Sequence, residues 1–476
     1  MCDRRKMTKN FLSGKDVLFF IIIIALIIMF LVPSIRVLLN KPFIIGETPY
    51  YDIRLAKEIT QEGLVFQDEL NNLDYMAKPY HLFLIPFLYF GTIDFLLIIP
   101  FIAGILSVIF LYFLLKKFEM SNDESFFVLL IFVLSPAFIF TFTTLNVFAI
   151  SLLFIIAGSY LFLKQKRILY PTILFILASF LNIINVVFII LFLFFISDLK
   201  KEKRSNANMA IAYILFFSFI YYLLTKALPN FLFQNNFHSF VADLGSPIGL
   251  SVFALILGTV GIIKTWPFRK KLKNMYLLLL ILVLIGFFDI HVNIYLTLLF
   301  SILAGFAFAH LVNKKWEVEA LRRLTILLLI YGLLFSMISY TKRISTSDPD
   351  DSIIEALEWL KENSDSNDVV LSHHSKGYWI EYFADRPIVF DYMKQNPLEQ
   401  HSLLYSRDLD ATKYLLNKSN VKYIFIDGNM KQGQVWKEKQ GLWFLLRNSE
   451  TFNNIYQRKN VEIWEYKESP QIIISK

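Results

Sequence analysis

Between Val17 and Tyr340 the chain is a succession of apolar runs, and the first, Val17 to Val32, contains no polar residue. This feature limits the possible folds more than any other. Crossing the hydrocarbon core takes about 20 apolar residues in a helix, because lipid offers backbone N–H and C=O groups no partner. Charged residues make up only 18% of the chain, against about 25% in ordinary globular domains. The runs at 17–35, 95–115, 125–142, 147–163, 168–182, 185–197, 207–226, 248–263, 275–288, 294–312 and 323–341 predict about eleven transmembrane helices. A shorter apolar segment, 80–92, is expected to lie at the interface without crossing.

The charges between the runs imply an orientation. With the N-terminus inside, the inner connectors carry Lys116-Lys117, Lys164-Gln-Lys-Arg167, Lys200-Lys-Glu-Lys-Arg204, the Arg269–Lys273 cluster and the Asn313–Arg323 stretch. The connectors left outside, 143–146, 183–184 and 289–293, hold no Lys or Arg. That is the positive-inside pattern. It makes the N-terminus cytoplasmic and sets both the long first loop (36–94) and the C-terminal part outside a cell membrane. The net charge of +8 then reflects membrane orientation, and a nucleic-acid partner is not expected. The first run follows Arg4, Arg5, Lys6, Lys9 and Lys15, yet Val32-Pro-Ser-Ile-Arg36 offers no small-residue cleavage site, so it reads as an uncleaved span. A single cysteine, Cys2, allows no intrachain disulfide.

Composition turns to that of a soluble domain near 342–350, where Lys342 and Arg343 precede Ser-Thr-Ser-Asp-Pro-Asp. Three parts follow: 1–341, a polytopic α-helical membrane domain; 342–350, a linker; and 351–476, an extracytoplasmic α/β domain. Its alternation predicts a helix over 351–364, a strand at 369–371, a helix at 378–383 and strands at 388–390, 423–426 and 461–464, the last in a late hairpin. No Gly-rich phosphate loop or nucleophile elbow is present in it.

The first loop holds Gly46-Glu47-Thr48-Pro49-Tyr50-Tyr51-Asp52-Ile53-Arg54-Leu55-Ala56-Lys57-Glu58-Ile59, running on to Gly63. Tyr51, Leu55 and Ile59 share one helix face, and Arg54, Lys57, Glu58 and Glu62 the other, with Pro49 in the first turn and Gly63 as a stop. An amphipathic helix on the membrane surface is expected. Asp289-Ile-His291-Val-Asn293 joins two spans with almost no linker, which marks it as a candidate site. His238 and Asp243 read as loop decoration. Arg36, Arg54, Lys78 and Lys226 are cations near the expected outer interface, suited to a lipid phosphate or to anchoring.

An acidic residue soon after the first span, then Pro-Tyr-Tyr and Arg54-Leu-Ala-Lys-Glu-Ile59 leading to Gly63, resembles the first loop of GT-C glycosyltransferases, nearest to archaeal relatives of the oligosaccharyltransferase catalytic subunit. Lys78-Pro-Tyr-His81, Tyr112-Phe-Leu-Leu-Lys-Lys117 and Leu134-Ser-Pro-Ala-Phe-Ile139 continue the resemblance. Val370-Leu-Ser-His373-His374-Ser-Lys376-Gly377-Tyr-Trp-Ile380, with Asp385-Arg386 and Asp391 beyond, is similar to the region around that subunit's Trp-Trp-Asp-Tyr-Gly motif. The Trp-Trp-Asp is replaced by His-His-Ser, while Gly377 is kept, which suggests a tight turn. Two consecutive histidines at a strand end are expected to point to opposite sides.

The resemblance implies a GT-C fold and transfer of a sugar from a polyprenyl-phosphate-linked donor to a protein, glycan or lipid acceptor beside membrane lipid. It makes Glu47 the general base or metal carboxylate, for Mg2+ or Mn2+, with Asp52 as the second catalytic candidate. Tyr50, Arg54, Lys78, Asn146, His291, His373, His374 and Lys376 are the substrate-facing residues. Asn146 stands where the resemblance leads one to expect a second carboxylate, and a neutral amide is a poor ligand for a divalent ion. A GT-C-like protein that binds lipid-linked glycans without turnover is the second reading, and a lipid-glycan transporter the third.

Overall fold

The computed structural model describes residues 13–63, 67–68, 70, 73–74, 78–165, 167–225, 237–394 and 396–467. These divide into two compact units. The first comprises Met1–Arg36, Lys78–Tyr80 and Phe90–Thr346; the second comprises Val37–Ala77, His81–Tyr89 and Ser347–Lys476.

The first unit is helical. Its long helices are Gly14–Leu38, Ile93–Lys117, Val147–Lys164, Lys201–Thr225, Val292–Asn313 and Glu319–Ser345, six that could each cross a membrane by length and composition. A seventh span can be made from Asn122–Val133 and Pro136–Thr143, which meet at 65°. The bend has a local cause: Pro136 has no N–H to continue the ladder, and Ser135 restarts the helix by accepting from Phe138 N. The expected spans at 168–182, 185–197, 248–263 and 275–288 fall on the shorter helices Leu169–Leu181, Ile183–Leu199, Val252–Phe268 and Lys273–Gly286. Asn182 separates the first two; its side chain accepts from Ile184 N and starts a new helix there. Of the expected eleven or so runs, six or seven are thus full-length helices among the described residues, and the other four fall on these shorter apolar helices.

Small residues allow these helices close approach. A Cβ on Gly305 would come within 2.4 Å of the Val128 backbone N, and one on Gly261 within 2.3 Å of Leu303 O. Lys342 and Arg343 lie in the last turn of the Glu319–Ser345 helix, where cations complement the exposed carbonyls, so the helix outlasts the expected boundary at 341. Arg36, a candidate phosphate contact from sequence, is fully buried and donates to Ser345 O at 3.1 Å.

The second unit contains α1 (Thr48–Glu62), a hairpin of β1 (Gln67–Asp68) and β2 (Leu73–Asp74), and α2 (Asp351–Glu362). Its main sheet has four strands: β3 (Val369–Leu371), β4 (Val421–Ile426), β5 (Phe452–Arg458) and β6 (Val461–Tyr466), in the order β3-β4-β6-β5. β3 and β4 are parallel, and the other pairs antiparallel. The expected strand at 388–390 contributes only an isolated bridge, Val370 with Ile388. Leu371, Phe390, Leu403, Ile424, Ile426 and Trp436 form the center of the core.

Gly305→Val inserts a branched side chain where no space exists, and overpacking of this kind costs about 1–3 kcal/mol or more. The valine variant is expected to melt at a lower temperature than wild type in detergent, with the smaller substitution Gly305→Ala falling between them; equal melting temperatures would contradict the packing described.

Candidate active site

Gly46, at φ +82°, turns the chain into α1, with Glu47 as its N-cap, Pro49 in the first turn and Gly63 (φ +86°) ending it. The turn is held on both sides of the Gly46 peptide. Gly46 N donates to Asp348 O, and Trp379 Nε1 donates to Gly46 O, each at 3.0 Å.

Glu47 is half-buried as a residue, but its Oε2 is shut off from solvent and has no hydrogen-bond partner. Burial pushes the carboxyl up to about 8. The Tyr392 hydroxyl and the Lys376 ammonium pull it down; the carboxylates of Asp391 and Glu381 add to the rise. The fold therefore favours the neutral acid. Its stabilisation is complete below the ordinary value of 4.5 and is lost as pH rises through about 8.

The rest of α1 departs from a surface helix. Pro49 through Ala56 are all buried, because the charged face finds its partners within this unit. Arg54, 7% exposed, donates to Asp68 through both terminal nitrogens at 3.0 and 2.7 Å, to Glu381 at 3.0 Å and to Glu58 at 2.6 Å. Both terminal nitrogens are thus held by carboxylates. Lys57 donates to the Tyr382 hydroxyl at 2.8 Å. Asp52 Oδ1 lies 3.0 Å from Nε2 of the fully buried His81. Tyr50 packs its ring against Tyr382 and Phe383.

His373 and His374 do not point apart. The chain leaves the strand at Ser372 and turns at His374, so their rings lie 4.1 Å apart with 39° between the planes. Nδ1 of His373 meets Ser375 Oγ at 2.9 Å, and Nδ1 of His374 meets Gln400 Oε1 at 3.0 Å. Burial pushes His373 down to about 3 and lowers His374 as well, so both are neutral near pH 7. Lys376 is buried, with Nζ 2.7 Å from Asp427 Oδ2. Gly377 is helical (φ −55°, ψ −55°) and makes no special turn; a Cβ there would stand 2.8 Å from Phe390 O.

In the first unit, Asn146 caps the Val147–Lys164 helix. Its Oδ1 accepts from Phe148 N and Ala149 N, and its Nδ2 donates to Thr141 O and Thr144 O. His291 stacks on Phe148 at 4.5 Å and has Nδ1 2.8 Å from Asp289 Oδ1. Lys78 is half-buried just before the helix Pro79–Leu88, and Lys226 lies outside the described residues. Sequence reasoning missed Trp379, Glu381, Tyr392 and Asp427, none of which stands in a spacing that marks it.

No family model and no curated protein matches the chain. Solved structures do. The archaeal oligosaccharyltransferase AglB from Archaeoglobus fulgidus, in complex with an inhibitory peptide and a dolichol-phosphate, superposes with TM-score 0.65 and 13% identity, over 88% of this chain and 70% of that one. An Archaeoglobus fulgidus oligosaccharyltransferase with Zn and sulfate gives 0.63 and 14%, over 93% and 73%. ArnT from Cupriavidus metallidurans bound to undecaprenyl phosphate gives 0.52 and 10%, over 95% and 98%. The chain has the GT-C fold. Within this GT-C fold, the metal expected at Glu47 lacks a donor set: among the described residues no group of three His, Cys, Asp or Glu could hold an ion.

Glu47→Gln is neutral at every pH and removes one titration from the fold. Between about pH 5 and pH 9 the wild-type melting temperature is expected to fall relative to that of the variant; parallel curves would show that Glu47 is not buried as described.

Proposed function

We propose that the chain transfers a sugar from a polyprenyl-phosphate-linked donor to an acceptor, with Glu47 as general base. The observation that carries this reading is the enclosed, unpartnered Oε2 of Glu47, on a carboxyl that titrates at about 8. A base is most effective when its pKa lies near the working pH, since it is then both available and strong enough to take a proton. The GT-C fold and the lipid phosphates in the names of two similar structures support the substrate class.

In the reaction, ionised Glu47 takes the proton of the acceptor's O–H or N–H as that atom bonds to the anomeric carbon of the sugar. The bond from that carbon to phosphate oxygen breaks, and its electron pair leaves with the polyprenyl phosphate. For the lipid phosphate itself, His291 and Lys78 of the first unit are the residues proposed. Asp52 and Arg54 serve position in this scheme, because Asp52 Oδ1 meets His81 and both terminal nitrogens of Arg54 are held by carboxylates.

Glu47→Gln is expected to lower transfer from a dolichyl-phosphate hexose by about 100-fold or more. Wild-type kcat should rise with pH around a midpoint of about 8. Transfer retained in the variant would sink the assignment of Glu47. Binding of dolichol phosphate by wild type without any turnover, across the acceptors tried, would favour the non-catalytic reading.

We further infer that the N-terminus is cytoplasmic and that residues after 346 lie outside the cell, on the distribution of Lys and Arg between the apolar runs. Cys2 is the one cysteine in the chain. In intact cells a membrane-impermeant maleimide should leave it unlabelled, while labelling a Ser449→Cys variant made in a Cys2→Ser background. The reverse pattern would invert the orientation.

A further inference from the structure

Gly46 stands at φ +82°, and a Cβ built on it would meet nothing within 4 Å, so packing on that side does not fix it. Glycine samples φ and ψ more widely than any other residue. The peptide unit is planar, so those two torsions alone relate the plane before Gly46 to the plane after it. Whatever sets them also sets how the chain enters α1 at Glu47, one residue later.

Both planes are tethered from within the second unit. Gly46 N, in the plane before, donates to Asp348 O at 3.0 Å. Gly46 O, in the plane shared with Glu47, accepts from Trp379 Nε1 at 3.0 Å. The next plane is tied by the helix itself, since Glu47 O accepts from Tyr50 N at 3.0 Å. Trp379 is 4% exposed, and its indole N–H can only donate. Its ring is seated: Lys376 Nζ stands 4.9 Å above it and is held 2.7 Å from Asp427 Oδ2. The residue before it, Tyr378, stacks on Tyr51 of α1 with ring centroids 4.4 Å apart.

We propose that Trp379 is a positioning residue for Glu47: its indole N–H locks the Gly46–Glu47 peptide plane and, with Asp348 O on the preceding plane, sets both torsions of Gly46. This deepens the proposed function and rests on Glu47 being the base. Trp379 touches neither donor nor acceptor in the scheme and acts through the backbone of Glu47. Glu47 opens α1 without a side-chain cap hydrogen bond, so its own carboxyl takes no part in holding the turn. The anchoring falls to the backbone, where a glycine left untethered would let the plane rotate. A base must meet its proton at hydrogen-bond distance, and a displacement of about 1 Å can lower a rate about 100-fold.

The ring and its N–H can be tested apart. Replacing Trp379 with 3-benzothienylalanine keeps the bicyclic shape and puts sulfur where the N–H stood, whereas Trp379→Phe removes the N–H and part of the ring. With the full chain in lipid nanodiscs, transfer from a dolichyl-phosphate hexose should show kcat lowered about 10-fold or more in both variants, with KM for the donor unchanged within about twofold. A wild-type kcat in the benzothienyl variant reduces Trp379 to packing and overturns the proposal. A loss confined to KM overturns it as well. Should Trp379→Phe not fold, the benzothienyl variant decides alone.

Hydrogen exchange followed by mass spectrometry gives a second arm that needs no substrate. In the benzothienyl variant the amides between Ile45 and Tyr51 should exchange about 10-fold faster or more than in wild type. Those of β4 (Val421–Ile426) should keep the wild-type rate. Unchanged exchange at 45–51 overturns the proposal, and so does equal acceleration in both segments, which would make Trp379 a residue of general stability. The two readings fail separately. Transfer surviving in Glu47→Gln, or absent from wild type, defeats the base assignment, whereas unchanged exchange at 45–51 defeats only the role of Trp379.

Discussion

A guanidinium only 7% exposed, facing Asp68, Glu381 and Glu58, ties together three stretches of chain that are far apart in sequence. Burying such charges is costly, and removing one partner of a buried pair typically destabilises by about 3–5 kcal/mol. Helix α1 supplies the cation, the short β1–β2 hairpin supplies Asp68, and the helical stretch after Gly377 supplies Glu381. Once these meet, Arg54 fixes the axial position of α1. Glu47 then sits at the start of that helix, about two turns before Arg54, and is carried into an environment with little water.

The same dependence explains which features were legible in the sequence. The bounds of α1 follow from Pro49 and Gly63, whose effects are local, and β3, β4 and β6 follow from short β-branched and aromatic runs. The long apolar helices were equally plain. What failed depended on partners at a distance or on a single peptide unit. The polar face of α1 looked solvated because Asp68 and Glu381 stand 14 and 327 residues away. The histidine pair looked divergent because strand alternation was extended two residues beyond Leu371, past the point where the backbone turns. Gly377 was given a turn it does not make, since a close approach of Phe390 leaves no mark in a local pattern.

Glu47 itself was singled out from sequence, but by resemblance and not by chemistry. Nothing local distinguishes it from Glu58 or Glu62 on the same helix. The difference lies in the groups around each carboxyl. Glu58 accepts from Arg54 at 2.6 Å, Glu62 is exposed at the end of the helix, and Glu47 keeps an enclosed oxygen with no partner. With identities of 10–14% to the similar solved structures, only such differences in environment separate a candidate base from a helix-surface acid.

A polar residue in a membrane-spanning chain has a prior obligation, because lipid leaves any free backbone group unsatisfied. The first unit shows how far that obligation reaches. Asn146 and Asn182 cap helices, and Arg36 closes the end of another. Arg343 donates to Ala242 O at 3.0 Å, and Asn293 donates to Ser239 O and Ile248 O. Arg36, Asn146 and Asn293 look like possible ligands in sequence, and each directs side-chain donors to backbone carbonyls. Polarity within an apolar chain is therefore a weak guide to chemistry. The better guide is a charged group whose hydrogen-bonding capacity the fold leaves partly unused while still enclosing it, since that arrangement carries a penalty and does nothing to complete a helix. Asn146 spends its amide on a helix cap, whereas Glu47 keeps an enclosed oxygen without a hydrogen-bond partner.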